Sequence, residues 1–208
     1  RRDSVKSGNK AGISRGKMIC STGGRPHEPV LVAYRGAAQG QVSVPFGMGR
    51  GDGVAGIMHT LDTLGIVLPE APKPVASYVP AVRAGNLLYI SGQVPFRDGS
   101  LVFTGPVPSQ TGLEEAQEAA RICAINALAV ARGALDGDLD RVEQIVRLGV
   151  FVASDPSFTD QPKVANGASD LMVEVFGPAG QHARAAVGSV SLPLGASVEV
   201  EMILQVRS

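Results

Sequence analysis

ARAAVGSVSLPLGASVEVEMI, residues 183–203, decides how this chain is read. From Ser197 to Arg207 the apolar residues Val198, Val200, Met202, Leu204 and Val206 alternate with Ser197, Glu199, Glu201, Gln205 and Arg207. That period of two marks a strand with one face in a core and the other turned to water, ligand or partner. Ala183 to Val190 reads as a second strand, and the break at Leu192-Pro193-Leu194-Gly195 predicts a reversal that pairs the two. Arg184 and Glu201 would then share a cleft. A guanidinium is charged at every working pH and grips a carboxylate through two parallel hydrogen bonds, and a nearby glutamate can direct water or move protons. The pair is equally readable as a salt bridge between neighbouring strands.

The stretches SYVPAVRAGNLLYISGQVP (77–95), NGASDLMVEVFG (166–177) and HARAAVGSVSLPLGASVEVEMI (182–203) stand in an order and spacing that resembles the Rid/YjgF family of reactive-intermediate deaminases, over about residues 60–208. The resemblance implies an α+β fold similar to chorismate mutase, with a mixed sheet and two helices on one face. It also implies a homotrimer with its clefts between subunits. The activity it implies is hydrolysis of 2-imino acids or their enamine tautomers to 2-keto acids and ammonia, without metal or organic cofactor. Carried over residue by residue, Arg184 matches the carboxylate-binding arginine and Glu201 the acid that handles water. Tyr78, Ser91, Gly92 and Asn166 match pocket positions, and Ala186 stands where some relatives carry cysteine, with backbone there to hold the imine end. Two other functions stay open: a non-catalytic sensor of small acids built on the same arginine, and an endoribonuclease or translation inhibitor.

Composition sets the frame. The 208 residues are 44% hydrophobic and carry no net charge, which describes a globular chain. The charge is unevenly placed: residues 1–57 hold 9 Lys+Arg against 3 Asp+Glu, a net of +6, and residues 58–208 hold 10 against 16, a net of −6. The division predicts a basic, Gly/Ser-rich, flexible extension over 1–57 and one domain over 58–208. An acidic domain disfavours general affinity for nucleic acid. The extension opens on Arg1, with Met18, Met48 and Met58 as possible internal starts, and reads as a targeting segment, as upstream translation or as a working arm. No apolar run approaches eighteen residues, so no membrane partner is expected. Cytoplasm is the default compartment, with an organellar matrix as the alternative.

Smaller motifs carry less. Gly47, Gly49, Gly51 and Gly53 miss the spacing of a phosphate-binding loop, and Arg50-Gly51-Asp52 is a tripeptide common by chance. Cys20 and Cys123 offer neither a metal cluster nor a disulfide framework, and His27, His59 and His182 lack ligand spacing. His182 reads as a surface or cleft-rim residue. Within the domain, strands are expected at Leu87–Gln93, Leu101–Phe103 and Val146–Ala153. A helix opening on a Thr111/Glu114 capping box would bury Ala116, Ala120, Cys123, Ala127 and Val130 and end at Gly133. Asp140 and Glu143 would cap a brief helix. A further helix, entered through Asp160 and Pro162 and stopped by Gly177, would bury Val164, Ala168, Leu171 and Val175. Apolar residues on the second sheet face, such as Ile203, call for cover by further subunits.

Overall fold

The alternation at the C-terminal end is fully expressed: Val198, Val200, Met202, Leu204 and Val206 are each buried to 1% exposure or less. The computed structural model describes residues 56–71 and 78–208. In chain order these form α1 (Ile57–Thr63), β1 (Ala81–Ala84), β2 (Leu87–Gln93), β3 (Phe96–Arg97), β4 (Ser100–Leu101), α2 (Leu113–Ala134), β5 (Val142–Ala153), α3 (Gln161–Phe176), β6 (Ala183–Ser189) and β7 (Val198–Val206). The expected extension over 1–57 lies outside the described residues, apart from Gly56 and Ile57.

Five strands form one sheet in the order β1-β2-β7-β5-β6, with β5 and β6 parallel and the other neighbours antiparallel. The fold is α+β with a mixed sheet, of the chorismate-mutase-like type. The expected pairing of the 183–190 strand with the 197–207 strand does not occur, because β5 lies between them. The reason is connectivity. A helix-long crossover through α3 lets β6 lie parallel to β5, and β7 takes the other edge of β5 through contacts running from Val142↔Val206 to Val152↔Val198. The Leu192–Gly195 break is accordingly a 3₁₀ turn at Pro193–Gly195 and not a hairpin.

Both long helices bury the stripes their sequence periods predict. Ala116, Ala120, Cys123, Ala127 and Val130 on α2 and Val164, Ala168, Leu171 and Val175 on α3 all lie in the core, packed with the apolar face of β7. Alanine dominates the α2 stripe, and small side chains let helix and sheet approach closely. The start of α2 is set one residue later than the Thr111/Glu114 reading: Gly112 N–H donates to Glu115 Oε2 at 2.8 Å, while the Thr111 hydroxyl donates to the Thr104 carbonyl at 2.8 Å. After α2, Asp138 caps a single 3₁₀ turn by accepting from Asp140 N–H, and β5 begins already at Val142, with Glu143 in the strand. Of the short strand expected at Leu101–Phe103 only Leu101 lies in β4, which pairs with β3; Val102 and Phe103 fall outside it. The seven-residue α1 buries Ile57 and Leu61 and is tied down by Ile57 N–H donating to Asp140 Oδ1 at 2.8 Å.

Candidate functional site

Side chains of β7 alternate, so Glu199 and Glu201 project from the sheet face opposite the helices. Their partners across the ladder are Phe151 and Gly149 on β5. A β-bulge in β2 sits on the other side of β7. Ile90 pairs with Met202 and Gln93 with Val200, so three steps on β2 match two on β7, and the extra residue falls in Ser91-Gly92. Bulges bend a strand and re-aim its side chains. The bend is fixed from α2, where Asn126 Nδ2 donates to the carbonyls of Val94 at 3.0 Å and Phe96 at 3.1 Å. Ser91 closes toward β1, its hydroxyl donating to the Val79 carbonyl at 3.0 Å.

Gly92 makes room for Glu199. A Cβ at Gly92 would stand 1.7 Å from Glu199 Oε1, so only glycine permits this carboxylate position. Glu199 has no hydrogen-bond or ion-pair partner among the described residues. Burial first, and the neighbouring Glu201 charge second, push its carboxyl pKa above the usual glutamate range. It faces a cleft of about 810 Å3 whose walls include Tyr78, Gly92, Gln93, Phe96, Ile122, Ile125 and Leu194. A desolvated carboxyl that keeps its proton more readily than an ordinary glutamate, next to a largely apolar cavity, is equipped to give and take a proton.

Glu201 has a different setting. Arg147 on β5 donates to its Oε1 at 2.6 Å, with both side chains 39% exposed, so its charge is balanced within the chain. It lies over Gly149, where a Cβ would come within 2.5 Å of Oε1. It lines a smaller hollow with Val82, Tyr89, Ser91 and Ile203 on the open sheet face.

Arg184 is on the opposite face. It pairs with Leu148, which in turn pairs with Met202, and both of those residues are buried under the helices. Its guanidinium is held by α3: Nη1 donates to Asn166 Oδ1 and to Ser169 Oγ, each at 2.9 Å, and Nη2 donates to the Pro162 carbonyl at 3.2 Å. All three acceptors are neutral, and Arg184 has no carboxylate within ion-pair distance among the described residues. Three of five N–H groups are thereby used, leaving Nε–H and one Nη2 hydrogen for an anion. Ala186, on the same strand face as Arg184, packs against the core.

The residues singled out in the sequence therefore form two groups. Arg184, Asn166 and Ala186 belong to the β6–α3 edge, and Tyr78, Ser91, Gly92 and Glu201 to the β2–β7 side. Glu201 and Arg184 lie two strand spacings apart, about 10 Å, on opposite faces, so one chain does not bring them together. Glu199 and Arg147 are the functional candidates that sequence reasoning passed over. Glu199 is visible in the sequence as a strand-face charge, and what distinguishes it from Glu201 is the bulge at Gly92 together with the Arg147 pairing that Glu201 has and Glu199 lacks among the described residues. Among the described residues no group of three or more His, Cys, Asp or Glu is placed to hold a metal ion, and no helix is long and apolar enough to cross a membrane. Cys123 is fully buried, with Sγ donating to the Val198 carbonyl at 3.6 Å, and burial raises its thiol pKa well above the ordinary value. It is a core residue.

Comparison with known proteins places this geometry in context. Residues 59–205 match the family described as "YjgF/chorismate mutase-like, putative endoribonuclease". Protein TCP17 of Trypanosoma cruzi is 48% identical over 153 residues, covering 73% of this chain and 95% of that protein. The 2-iminobutanoate/2-iminopropanoate deaminase of Dermatophagoides farinae is 33% identical over 144 residues, covering 68% of this chain and 95% of that protein. Among solved structures, a protein of unknown function from Agrobacterium tumefaciens superimposes with a TM-score of 0.69 at 46% identity, covering 73% of this chain and 92% of that one.

Proposed function

The chain belongs to the YjgF/chorismate mutase-like family, and on that premise we propose that it is an imine deaminase, hydrolysing 2-imino acids or their enamine tautomers to 2-keto acids and ammonia. The observation that carries this reading is the Glu199 carboxyl beside Gly92 at the cleft, desolvated and without a partner among the described residues. The name of the Dermatophagoides relative supports the reaction class. The anion seat at Arg184 supports a substrate that bears a carboxylate.

In the proposed cycle Arg184 holds the substrate carboxylate and protonated Glu199 gives its proton to the imine nitrogen. The resulting carboxylate takes a proton from water as the oxygen adds to C2, giving a carbinolamine. Glu199 then protonates the amino group. Ammonia departs as the C2 hydroxyl becomes the carbonyl and returns its proton to Glu199, so one carboxyl serves every transfer. Imines hydrolyse unaided, so positioning and one shared proton are the whole demand on the protein. In this reading Glu199 takes the proton-handling role expected of Glu201, whose charge is committed to Arg147. Tyr78 and Gly92 shape the cleft, and Ser91 lines the neighbouring hollow beside Glu201.

The two half-sites occupy opposite sheet faces, so a small substrate would be served by Arg184 of one copy and Glu199 of another. That arrangement fits the homotrimer implied by the resemblance. The open face displays Val82, Tyr89 and Val187, each more than 40% exposed, as an apolar surface for such an assembly. The domain's net charge of −6 over residues 58–208 weighs against ribonuclease activity.

The test generates 2-imino acids in situ with an amino-acid oxidase and follows 2-keto acid release above the spontaneous rate. Glu199→Gln should lower kcat by about 10²–10⁴, the usual span for a general acid–base, while Glu201→Gln retains turnover. Loss in Glu201→Gln with retention in Glu199→Gln would reverse the assignment. Wild-type protein that accelerates none of several side chains would overturn the deaminase reading.

A further inference from the structure

Arg184 is held by a relay that extends beyond its direct partners. His182 Nδ1 lies 2.6 Å from the Gly180 carbonyl oxygen, and His182 Nε2 lies 3.0 Å from Ser169 Oγ. A carbonyl can only accept, so Nδ1 carries the imidazole proton and Nε2 of the neutral ring presents a lone pair. Ser169 Oγ–H must then donate to Nε2. With its single proton committed, the Ser169 oxygen turns only lone pairs toward Arg184 Nη1 at 2.9 Å. Both His182 and Ser169 are half-buried, which restricts competition from water at these bonds.

We propose that His182 is a positioning residue for carboxylate recognition: by fixing the hydroxyl of Ser169 it makes that oxygen a pure acceptor and locks the Arg184 guanidinium with its free fork turned outward. Asn166 Oδ1 and the Pro162 carbonyl are acceptors by constitution, whereas the Ser169 hydroxyl can act either way. A serine on a helix readily donates to a backbone carbonyl one turn earlier. Without His182 the hydroxyl is free to rotate, its proton competes for the space taken by Nη1–H, and the guanidinium loses one of three anchors. His182 immediately precedes β6, two residues before Arg184, and Ser169 follows Asn166 by three residues on α3, so the four side chains meet at one edge of the fold. This inference rests on the deaminase reading for its consequence in turnover, but the ordering of Arg184 can be measured without it.

The experiment has two arms, each run on the full chain. The first follows Arg184 by side-chain ¹⁵N NMR, assigned by its loss in Arg184→Ala, and reads guanidinium rotation about the Nε–Cζ bond. Wild type and Ser169→Thr, which keeps the hydroxyl, should show slow rotation, and His182→Ala and Ser169→Ala should show it at least several-fold faster. Equal rotation in all four proteins overturns the relay, whatever the enzyme does. The second arm measures kinetics with 2-iminobutanoate. His182→Ala and Ser169→Ala should raise KM by about five- to tenfold, the usual net effect of one lost hydrogen bond, with kcat within twofold of wild type. Ser169→Thr should restore KM. A fall in kcat at unchanged KM would overturn the positioning role. Should wild type show no turnover while the rotation rates separate as expected, the relay stands and the deaminase reading falls. Ser169→Ala, which acts at the other end of the relay, keeps the test decisive if His182→Ala does not fold.

Discussion

Replacing Gly167 by alanine sets two physical effects against each other. Gly167 lies within α3, where alanine is favoured over glycine by about 1 kcal/mol through backbone entropy. Its Cα, however, faces the α2 backbone. A Cβ would stand 1.9 Å from the Gln117 carbonyl oxygen and 2.8 Å from its carbon, against a practical floor of 3.0 Å. The obstruction is main chain, so no rotamer relieves it, and the helices must separate by at least 1.1 Å, the difference between 3.0 and 1.9 Å. A gap of that size forfeits a quarter to a half of each dispersion contact along the seam, and overpacking of this kind costs about 1–3 kcal/mol. With no escape available the upper end applies, and after the helix-propensity gain Gly167→Ala should be less stable by about 2 kcal/mol. Urea unfolding at fixed protein concentration measures this, with Gly133→Ala as control, since there the nearest atom to a new Cβ is the Ala71 side chain at an ordinary 3.4 Å. The control should be neutral or stabilised. Gly167→Ala equal to or more stable than wild type would refute the close-packed seam. The same displacement moves Asn166 and Ser169 away from Arg184, so the variant should also bind 2-oxobutanoate more weakly.

Glu199→Gln should be more stable than wild type at pH 7 while losing turnover. Its folded-state pKa is raised, so the folded protein holds the extra proton and wild-type stability falls as pH rises from the ordinary glutamate value toward the folded one; the advantage of glutamine should therefore vanish in melting curves taken below about pH 4. Arg147→Met leaves the Glu201 charge unbalanced beside Glu199, so the pH at which turnover reports Glu199 ionisation should move upward, and an unchanged or lowered value would contradict the coupling. In a Cys20→Ser background Cys123 should react with a thiol reagent only on unfolding, since it is fully buried with a raised pKa. Labelling of the native protein within minutes would show that α2 opens locally.

Periodic features were legible because each is written in a single segment. The stripe from Ala116 to Val130, the stripe from Val164 to Val175 and the alternation from Val198 to Val206 state their own period and burial, and the structure buries all three sets. The position of β5 between β6 and β7 was not legible, because strand order depends on which edge a crossover reaches and no residue in 183–207 records it. The helix α1 escaped notice because Ile57 and Leu61 are its only buried anchors, too few to set a period. Glu199 and Glu201 give identical local signals two residues apart on one strand face. What separates them lies across the ladder: Gly92 on the bulge opens space for one, and Arg147 balances the other. The Thr111 capping reading missed by one residue because that hydroxyl bonds the distant Thr104 carbonyl, a tertiary partner unavailable to local reasoning.

The separation of the two half-sites has a physical rationale in the sheet itself. An arginine without a carboxylate partner and a glutamate without a cation would neutralise each other if one chain placed them in contact, since a close Arg–Glu pair would lower the glutamate pKa and occupy the guanidinium fork. On the proposed reading, the intervening strand β5 and the opposite projection of their side chains keep Arg184 available to an external anion and let burial hold the Glu199 pKa above the usual glutamate range. Arg147 reinforces the division by taking Glu201, which leaves Glu199 as the carboxyl of the pair without a cation among the described residues. An assembly that presents Arg184 of one copy to the Glu199 cleft of another would join the two across a bound substrate, with the substrate's own carboxylate and imine standing between them.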